Sequence, residues 1–367
     1  MYVEESVMAE SVKTKEKKDK DKYVAYVSTY TRNEKFGIHV YDVDNEKGRL
    51  SEKDEVEITN SSYISLSHNG KYLYAITDFG VESYDIKPDG TLKNTGKASI
   101  NGMRGCYLST DYEDKFLFVA GYHDAKVTVL RINDDGTVGE ITDELFSAGL
   151  GSIIERSFLP HVTCAKMTRD NKYLCVCDIG MDQVKVFSFD PKGGKLKLAD
   201  MIYCDQDSAP RYIKFHKNGK FAYVSHEVAN KIDIYSYTDN KGTPDFEKIG
   251  SVSTMHDDYK TSGSISCAMK FSSDHKLLMC SVAGSNSVAV YKVDEKTGLL
   301  DKRLCLPVSG DYPKDVAFFP DSKHIVSLNH ESNTMSFFKL DLKNDIIVMN
   351  GPFIKVPSGN CIITKKL

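Results

Sequence analysis

Six segments of the chain repeat one order of residues, and this repeat limits the possible folds more than any other feature of the sequence. Each segment runs through a polar turn, a lysine, an apolar run, a polar gap, a run in which apolar and polar residues alternate, and a second turn. The lysines that align the segments lie 44, 57, 48, 56 and 47 residues apart and are Lys71, Lys115, Lys172, Lys220, Lys276 and Lys323. This period is typical of one propeller blade.

The alternating runs predict strands rather than helices. In "KVTVLRIN", "QVKVFSFD", "KIDIYSYT" and "SVAVYKVD" apolar and polar residues exchange with a period of two, and valine, isoleucine, tyrosine and phenylalanine dominate. The turns that follow, such as "NDDGTV" and "DEKTGLL", combine glycine with aspartate, asparagine or lysine, which tight hairpins require. We therefore expect an all-β chain.

The two ends of the chain complement each other. Residues 23–50 contain an apolar run and an alternating run but lack the preceding strand, and "PSGNCIITKKL" (357–367) resembles that missing strand. Pairing of the two would close a ring of seven blades without an open sheet edge. We predict a seven-bladed β-propeller closed by its N- and C-terminal strands, with residues 23–367 as a single domain and residues 1–22 as a disordered charged tail.

Composition and charge argue against several classes of partner. The formal charge of −4, with basic residues spread along the chain, gives no reason to expect nucleic acid or a membrane surface, and no apolar run approaches 18 residues. Nine cysteines occur without a CxxC pair, and several lie in apolar runs, as Cys175, Cys177 and Cys280 do. This pattern favours free thiols and a cytoplasmic location. The cysteines and histidines lack the spacing of metal ligands, so we expect no metal site.

Functional residues of a propeller lie where its strands end around the central channel, and the repeat allows equivalent positions to be counted from each aligning lysine. Eleven residues before the lysine lie Arg104 and His161. Nine residues before it lie Ser62, Cys106, Thr163, Arg211, Cys267 and Lys314, with Asn360 at the matching place in the last strand. Six and seven residues after it lie Thr77, Asp78, Gly121, Tyr122, Asp178, Ile179, His226, Glu227, Val282, Ala283, Asn329 and His330. Charged and imidazole groups at one mouth favour a small anionic ligand.

The chain resembles the seven-bladed lactonase family, which includes bacterial 6-phosphogluconolactonases and fungal carboxymuconate-lactonizing enzymes. The resemblance spans roughly residues 23–366 and rests on "GLGSIIERSFLPHVTC", "CDIGMDQVKVF", "SAPRYIKFHKNGKFAYVSHE" and "VAGSNSVAVYKVDEKTGLL". It implies a hydrolase of cyclic esters without a cofactor. The family motifs imply site roles for Arg156, His161, Asp178, Arg211 and Glu227. The chain departs from these motifs at Thr163, Tyr212, Ala283 and Lys314, where relatives carry histidine, histidine, arginine and arginine.

Two functions remain open at this point. The first is hydrolysis of a small anionic sugar lactone, most simply 6-phosphogluconolactone. In this reaction Glu227 or His161 would act as the base and Arg211 as the clamp for the anion. The residues expected to contact the substrate are Arg104, Arg156, Asp178, Tyr122, His226 and His330. The alternative is a non-catalytic or differently selective propeller that binds a sugar acid, a metabolite or a protein at the same mouth, which the residues at Thr163 and Ala283 favour. Structural roles are also open: His161 as a strand cap, Arg211 with Glu227 as an ion pair between blades, Asp178 as a partner of turn amides, and His226 and His330 as satisfied polar residues.

Overall fold

The computed structural model describes residues 21–32, 34–151, 159–256, 258 and 263–367, which form strands and turns without a helix. Alternating β-branched and aromatic residues favour the extended backbone, and glycine, aspartate and asparagine mark the turns between them. The strands are β1 (Tyr23–Thr29), β2 (Phe36–Asp44), β3 (Arg49–Glu57), β4 (Ile64–Leu66), β5 (Tyr72–Thr77), β6 (Gly80–Ile86), β7 (Leu92–Ala98), β8 (Tyr107–Thr110), β9 (Phe116–Gly121), β10 (Lys126–Ile132), β11 (Val138–Phe146), β12 (Val162–Met167), β13 (Tyr173–Asp178), β14 (Gln183–Phe189), β15 (Leu196–Tyr203), β16 (Pro210–Phe215), β17 (Phe221–His226), β18 (Lys231–Asp239), β19 (Pro244–Ser253), β20 (Ile265–Phe271), β21 (Leu277–Ala283), β22 (Ser287–Val293), β23 (Leu300–Pro307), β24 (Pro313–Phe318), β25 (His324–Asn329), β26 (Thr334–Asp341), β27 (Ile346–Met349), β28 (Ile354–Lys355) and β29 (Gly359–Lys366).

These strands form seven antiparallel sheets, which we number as blades in chain order. Blades 1 to 5 are β4–β7, β8–β11, β12–β15, β16–β19 and β20–β23, and blade 6 is β24–β27 with β28 beside β26. Blade 7 has the order β29, β1, β2, β3. The first strand of each blade is innermost, and these strands contact one another in ring order from β4 through β24 and β29 back to β4. The predicted seven-bladed propeller is therefore confirmed.

The closure between the chain ends also follows the prediction. β1 and β29 pair antiparallel from Tyr23 opposite Lys366 to Thr29 opposite Gly359. Ile362 in β29 has no exposed surface and packs with Val27 and Leu328. The last strand thus completes a blade and gives β1 a neighbour on each side.

Burial follows the position of a strand within its blade. The second strands, such as β9 and β17, are buried along their whole length because neighbouring blades cover both faces. The fourth strands, such as β15, are largely exposed. This explains why the apolar runs after the lysines are continuous and the later runs alternate.

A tyrosine–glycine hydrogen bond recurs between neighbouring blades. The hydroxyls of Tyr26 and Tyr223 donate to the carbonyl oxygens of Gly90 and Gly298, each at 2.8 Å. Gly90 has a φ of 89° in its hairpin, and a Cβ there would lie 2.5 Å from Val24 Cγ1. Glycine is required at this turn both for its backbone conformation and for the close approach of the next blade.

Two sequence predictions concern parts of the chain beyond this description. Residues 1–20 of the predicted tail lie outside the described residues, so the tail and the division of the chain at residue 22 stay predictions.

No helix in the described ranges is long and apolar enough to cross a membrane. All nine cysteines are free thiols, as the sequence indicated.

Candidate active site

A cavity of about 390 Å³ opens at the mouth of the central channel where the innermost strands begin. Polar and aromatic side chains line it, together with the ends of a few apolar ones. The lining residues are Tyr30, Ser62, Tyr63, Cys106, Tyr122, His123, Thr163, Arg211, Tyr212, Lys214, Glu227, Ile265, Ala268, Met269, Lys270, Tyr312, Lys314, Asp315 and Asn360. A pocket of this volume accommodates a small metabolite.

The positions nine residues before the aligning lysines form a belt around this mouth, and all of them except Cys267 line the cavity. Several bind the backbone of the next blade: Ser62 Oγ donates to Gly105 O (2.7 Å), and Asn360 Nδ2 donates to Ser61 O (2.9 Å). Thr163, which stands where relatives carry a histidine, donates from Oγ1 to Arg211 O (2.8 Å). The belt therefore fixes the ring of blades and the backbone of Arg211 at the same time.

Arg211 and Glu227 form an ion pair at the wall of the cavity. Arg211 extends from β16 and Glu227 follows β17, and Arg211 Nη1 donates to Glu227 Oε2. Their side chains are 20% and 6% exposed, so the pair is largely withdrawn from water but still faces the cavity. Burial alone would lower the pKa of Arg211, but the Glu227 carboxylate raises it overall. Arg211 Nε has almost no exposed surface and no hydrogen-bond partner among the described residues, so this N–H of a permanent cation is left unsatisfied in this conformation.

A second cationic group, Lys314, faces the same space. Its Nζ donates to Asn360 Oδ1 (2.6 Å) and lies 4.7 Å from the ring centre of Tyr30. Arg104 lies against the same ring, at 4.8 Å. Burial and the charge of Arg211 lower the pKa of Lys314 to about 8. At neutral pH Lys314 is therefore a cation that can still give up a proton.

Arg104 is held on the outer side of Tyr30. Its Nη1 donates to Asp78 Oδ1 at 2.8 Å, and Asp78 Oδ2 accepts from Asn60 Nδ2 at 2.8 Å. Arg104 is not among the side chains that line the cavity as far as the structure describes it. Its charge is paired with Asp78, and its contact with the mouth is the packing against Tyr30.

His161 lies behind Tyr122 rather than on the cavity wall. The two rings stack with centres 4.2 Å apart, and His161 Nδ1 donates to the Tyr122 carbonyl oxygen (2.9 Å). Asp178 supports this arrangement from the interior, because its Oδ1 accepts from the His161 backbone N–H (3.0 Å). Asp178 has no exposed surface and also binds Ser147 Oγ, with Lys185 Nζ 3.4 Å away. This side chain has no surface with which to contact a ligand in this conformation.

The two other histidines lie within the protein rather than on the cavity wall. His226 has no exposed surface, and its Nε2 lies 3.2 Å from Asp233 Oδ2 within blade 4. His330 Nδ1 donates to Gly359 O (2.8 Å), and its ring packs edge-on against Tyr30. Burial and the nearby Lys314 lower the pKa of His330, so it is a neutral group that orders the mouth. Of the residues predicted as site members, the structure thus places three on the cavity wall: Arg211, Glu227 and Tyr122. Five others lie around the cavity: Arg104, His161, Asp178, His226 and His330. Arg156 lies outside the described residues.

Sequence reasoning missed the aromatic part of the wall. Tyr30 and Tyr312 lie in loops just after β1 and just before β24, where no repeated position marks them. Tyr212 and His123 each directly follow a residue singled out by the count, Arg211 and Tyr122. Tyr212 shares the wall with its neighbour Arg211 because the register of β16 with β17 shifts between Pro210 and Tyr212, an irregularity that strand alternation in the sequence does not reveal.

The described residues contain no group of three or more histidine, cysteine, aspartate or glutamate side chains arranged to hold a metal ion. The reactive groups on the wall are the carboxylates of Glu227 and Asp315, four cationic side chains, a thiol, an imidazole and several phenols. Such a set can hold an anionic ligand and move a proton.

Comparison with known proteins identifies the family. Residues 24–364 match the family described as "Lactonase, 7-bladed beta-propeller". The 6-phosphogluconolactonase of Bacillus subtilis is 30% identical over 347 residues, which is 93% of this chain and 98% of that protein. The crystal structure of a candidate 6-phosphogluconolactonase from Bacteroides fragilis has a TM-score of 0.84 at 26% identity and covers 94% of this chain and 98% of its own.

A third similarity concerns the fold alone. The periplasmic gluconolactonase of Pseudomonas aeruginosa superposes with a TM-score of 0.86 at 22% identity, over 94% of this chain and 99% of its own. The family match covers every blade described above. The chain belongs to the seven-bladed β-propeller lactonase family.

Proposed function

We propose that the chain hydrolyses a phosphorylated sugar lactone of the 6-phosphogluconolactone type at the mouth of its channel. The observation that carries this proposal is the Arg211–Glu227 pair, a carboxylate and a permanent cation side by side in a cavity of metabolite size. The family and the named relatives support the reaction class. The cytoplasmic location inferred from the cysteines is part of the same proposal.

Glu227 is the base in this proposal. Opening a lactone requires a water molecule to attack the carbonyl carbon while a base accepts its proton. Glu227 lines the cavity, whereas His161 stacks behind Tyr122. We therefore assign the base to Glu227 and treat His161, supported by Asp178, as a positioning residue for Tyr122.

Arg211 and Lys314 stabilise the negative charge that grows on the carbonyl oxygen. Arg211 keeps its charge at all working pH values, and its side chain lines the cavity. Preorganised donors in a site that excludes water give the largest single contribution to such reactions. The same two cations would also attract the dianionic phosphoryl group of the substrate.

Collapse of the tetrahedral intermediate breaks the bond between the carbonyl carbon and the ring oxygen, which must receive a proton. Lys314, with a pKa of about 8, is protonated at neutral pH and can supply it. Arg211 cannot act in this way because a guanidinium does not lose its proton in proteins. The proton that Glu227 removed from water restores Lys314 through solvent, and the product is the open-chain acid.

A second function, ligand binding without catalysis, is favoured by two departures from the family motifs. Ala283 stands where relatives carry an arginine and is 2% exposed, and the Thr163 hydroxyl is engaged with the Arg211 backbone. Neither position offers a group to a ligand. The remaining wall would then hold a sugar acid through Arg211 and Lys314.

Acid release from freshly prepared 6-phosphogluconolactone, followed in a pH-stat and corrected for the spontaneous rate, separates the two functions. Gluconolactone, which lacks the phosphoryl group, and the Glu227→Gln variant are the controls. Hydrolysis requires a rate above the spontaneous one that falls in both controls. A rate equal to the spontaneous one, with calorimetric binding of 6-phosphogluconate, would instead support the binding function.

A further inference from the structure

Below the candidate active site, the channel continues into a second cavity of about 320 Å³. Three lysines reach it from neighbouring blades: Lys166 on β12, Lys214 on β16 and Lys270 on β20. Each lies six residues before the aligning lysine of its blade. The same count in blades 1, 2 and 6 gives Ser65, Ser109 and Ala317, so the positive charge is gathered on one side of the channel.

Only one of the three ammonium groups is paired with a carboxylate among the described residues. Lys270 Nζ lies 3.1 Å from Asp315 Oδ2, which also accepts from the Ile362 backbone N–H at 2.8 Å. Lys166 Nζ and Lys214 Nζ have no hydrogen-bond or ion-pair partner in the ranges that the structure covers. These two groups lie 5.5 and 5.6 Å from the ring centres of Tyr112 and Tyr107. Partial burial of a lysine without a counter-ion is unfavourable, so this arrangement needs a reason.

The titration of these groups agrees with the geometry. Burial, followed by the charge of Lys214, lowers the pKa of Lys166 to about 7. Burial and the charge of Lys270 lower the pKa of Lys214 as well. An anion between them would reverse both effects, because it favours the charged form of each lysine.

We propose that this lower cavity binds a compact multivalent oxyanion, namely inorganic phosphate or the phosphoryl group of a small metabolite. Lys166, Lys214 and Lys270 each present an ammonium group with up to three N–H donors, which matches the many acceptors of a phosphoryl group. The cavity volume exceeds that of a phosphate ion. The site adjoins the proposed lactone site, because Lys214 and Lys270 line both cavities, whereas Lys166 lines only the lower one as far as the structure describes them.

Titration calorimetry and thermal unfolding with inorganic phosphate test the proposal at constant ionic strength, with chloride as the control anion. We expect saturable phosphate binding that weakens at least tenfold in Lys166→Met and in Lys214→Met. Lys276 is an exposed lysine in the same blade as Lys270, so the control variant Lys276→Met should bind phosphate as the wild type does. Lys166→Met should also raise Tm in phosphate-free buffer, because it removes an unpaired ammonium group.

Arg211→Lys separates the lower site from the upper one. Phosphate binding that persists in Arg211→Lys but is lost in Lys166→Met supports the lower site, and lactone hydrolysis by Lys166→Met should equal that of the wild type. If Lys166→Met does not fold, Lys166→Gln replaces it. Equal phosphate affinity in wild type and the Lys166 variant, or no binding beyond that of chloride, overturns the proposal and leaves the proposed hydrolysis unaffected.

Discussion

Replacing Arg211 with lysine separates a catalytic role of the Arg211–Glu227 pair from a structural one. Lysine retains the charge beside Glu227, but its single Nζ cannot contact the carboxylate and also reproduce the forked N–H groups of the guanidinium. Loss of one oxyanion donor typically lowers kcat by about 10²- to 10³-fold, or about 2.7–4 kcal/mol. We expect turnover of Arg211→Lys to fall by about 10²-fold.

The free energy of unfolding should respond differently. Because lysine keeps a cation next to Glu227, Arg211→Lys should unfold at nearly the wild-type temperature. Arg211→Met removes the cation from a carboxylate that is only 6% exposed. Breaking a buried pair in this way costs about 3–5 kcal/mol. The difference in stability between Arg211→Lys and Arg211→Met therefore measures the contribution of the ion pair. The loss of turnover in Arg211→Lys measures the contribution of the forked guanidinium geometry.

The assay combines initial rates of acid release with guanidinium unfolding for Arg211→Lys, Glu227→Gln and the double variant. If Arg211 clamps the oxyanion while Glu227 activates water, the two changes act on one transition state and their effects on kcat/KM are not additive. The reasoning is refuted if both single changes lower stability by similar amounts and couple in unfolding, while ligand binding and turnover stay intact.

Three further predictions follow from the environment of single residues. Lys314 loses its ammonium proton as pH rises through about 8, so the enzymatic rate in excess of the spontaneous rate should fall over this range. Lys314→Arg stays charged, so this variant should be slower than the wild type and should not show the fall between pH 7 and 9. Ile362→Ala in the closing strand should lower the free energy of unfolding by about 2–5 kcal/mol. Ile346 on β27 is 42% exposed, so Ile346→Ala should change this free energy little. Equal effects of the two variants in chemical denaturation would contradict the prediction that burial of the closing strand stabilises the fold. Asp178→Asn leaves Lys185 without its carboxylate, so it should lower the free energy of unfolding by about 3 kcal/mol while KM stays within twofold. A raised KM at unchanged Tm would instead place Asp178 in contact with substrate.

The sequence predicted the fold well because the same physical pattern occurs in every blade. A continuous apolar run after each aligning lysine is the fully covered second strand, and a β unit repeated at this period is typical of a propeller blade. The closure was predictable because residues 23–50 lacked a strand that only residues 357–367 resembled. Counting from the lysines also located Arg211, Lys314 and Asn360 at one level of the channel.

The same count could not say which way each side chain points. His226 and Glu227 are adjacent, yet His226 turns into the blade toward Asp233 and Glu227 turns toward the cavity. Successive residues of a strand face opposite sides, so a position near a strand end fixes height along the channel but not orientation. Asp178 shows the same effect, since its carboxylate turns inward to the His161 backbone.

The terminal closure also governs the order of events when the chain is made. The β1–β29 ladder joins Tyr23 to Lys366, so the earliest strand of the propeller waits for the latest one to be synthesised before its sheet is complete. Contacts so distant in sequence carry a large loop-closure entropy and slow the folding of β-proteins. During translation β1 therefore remains a one-sided edge able to pair with another nascent chain, and dependence on chaperones should be greatest in the interval before β29 emerges.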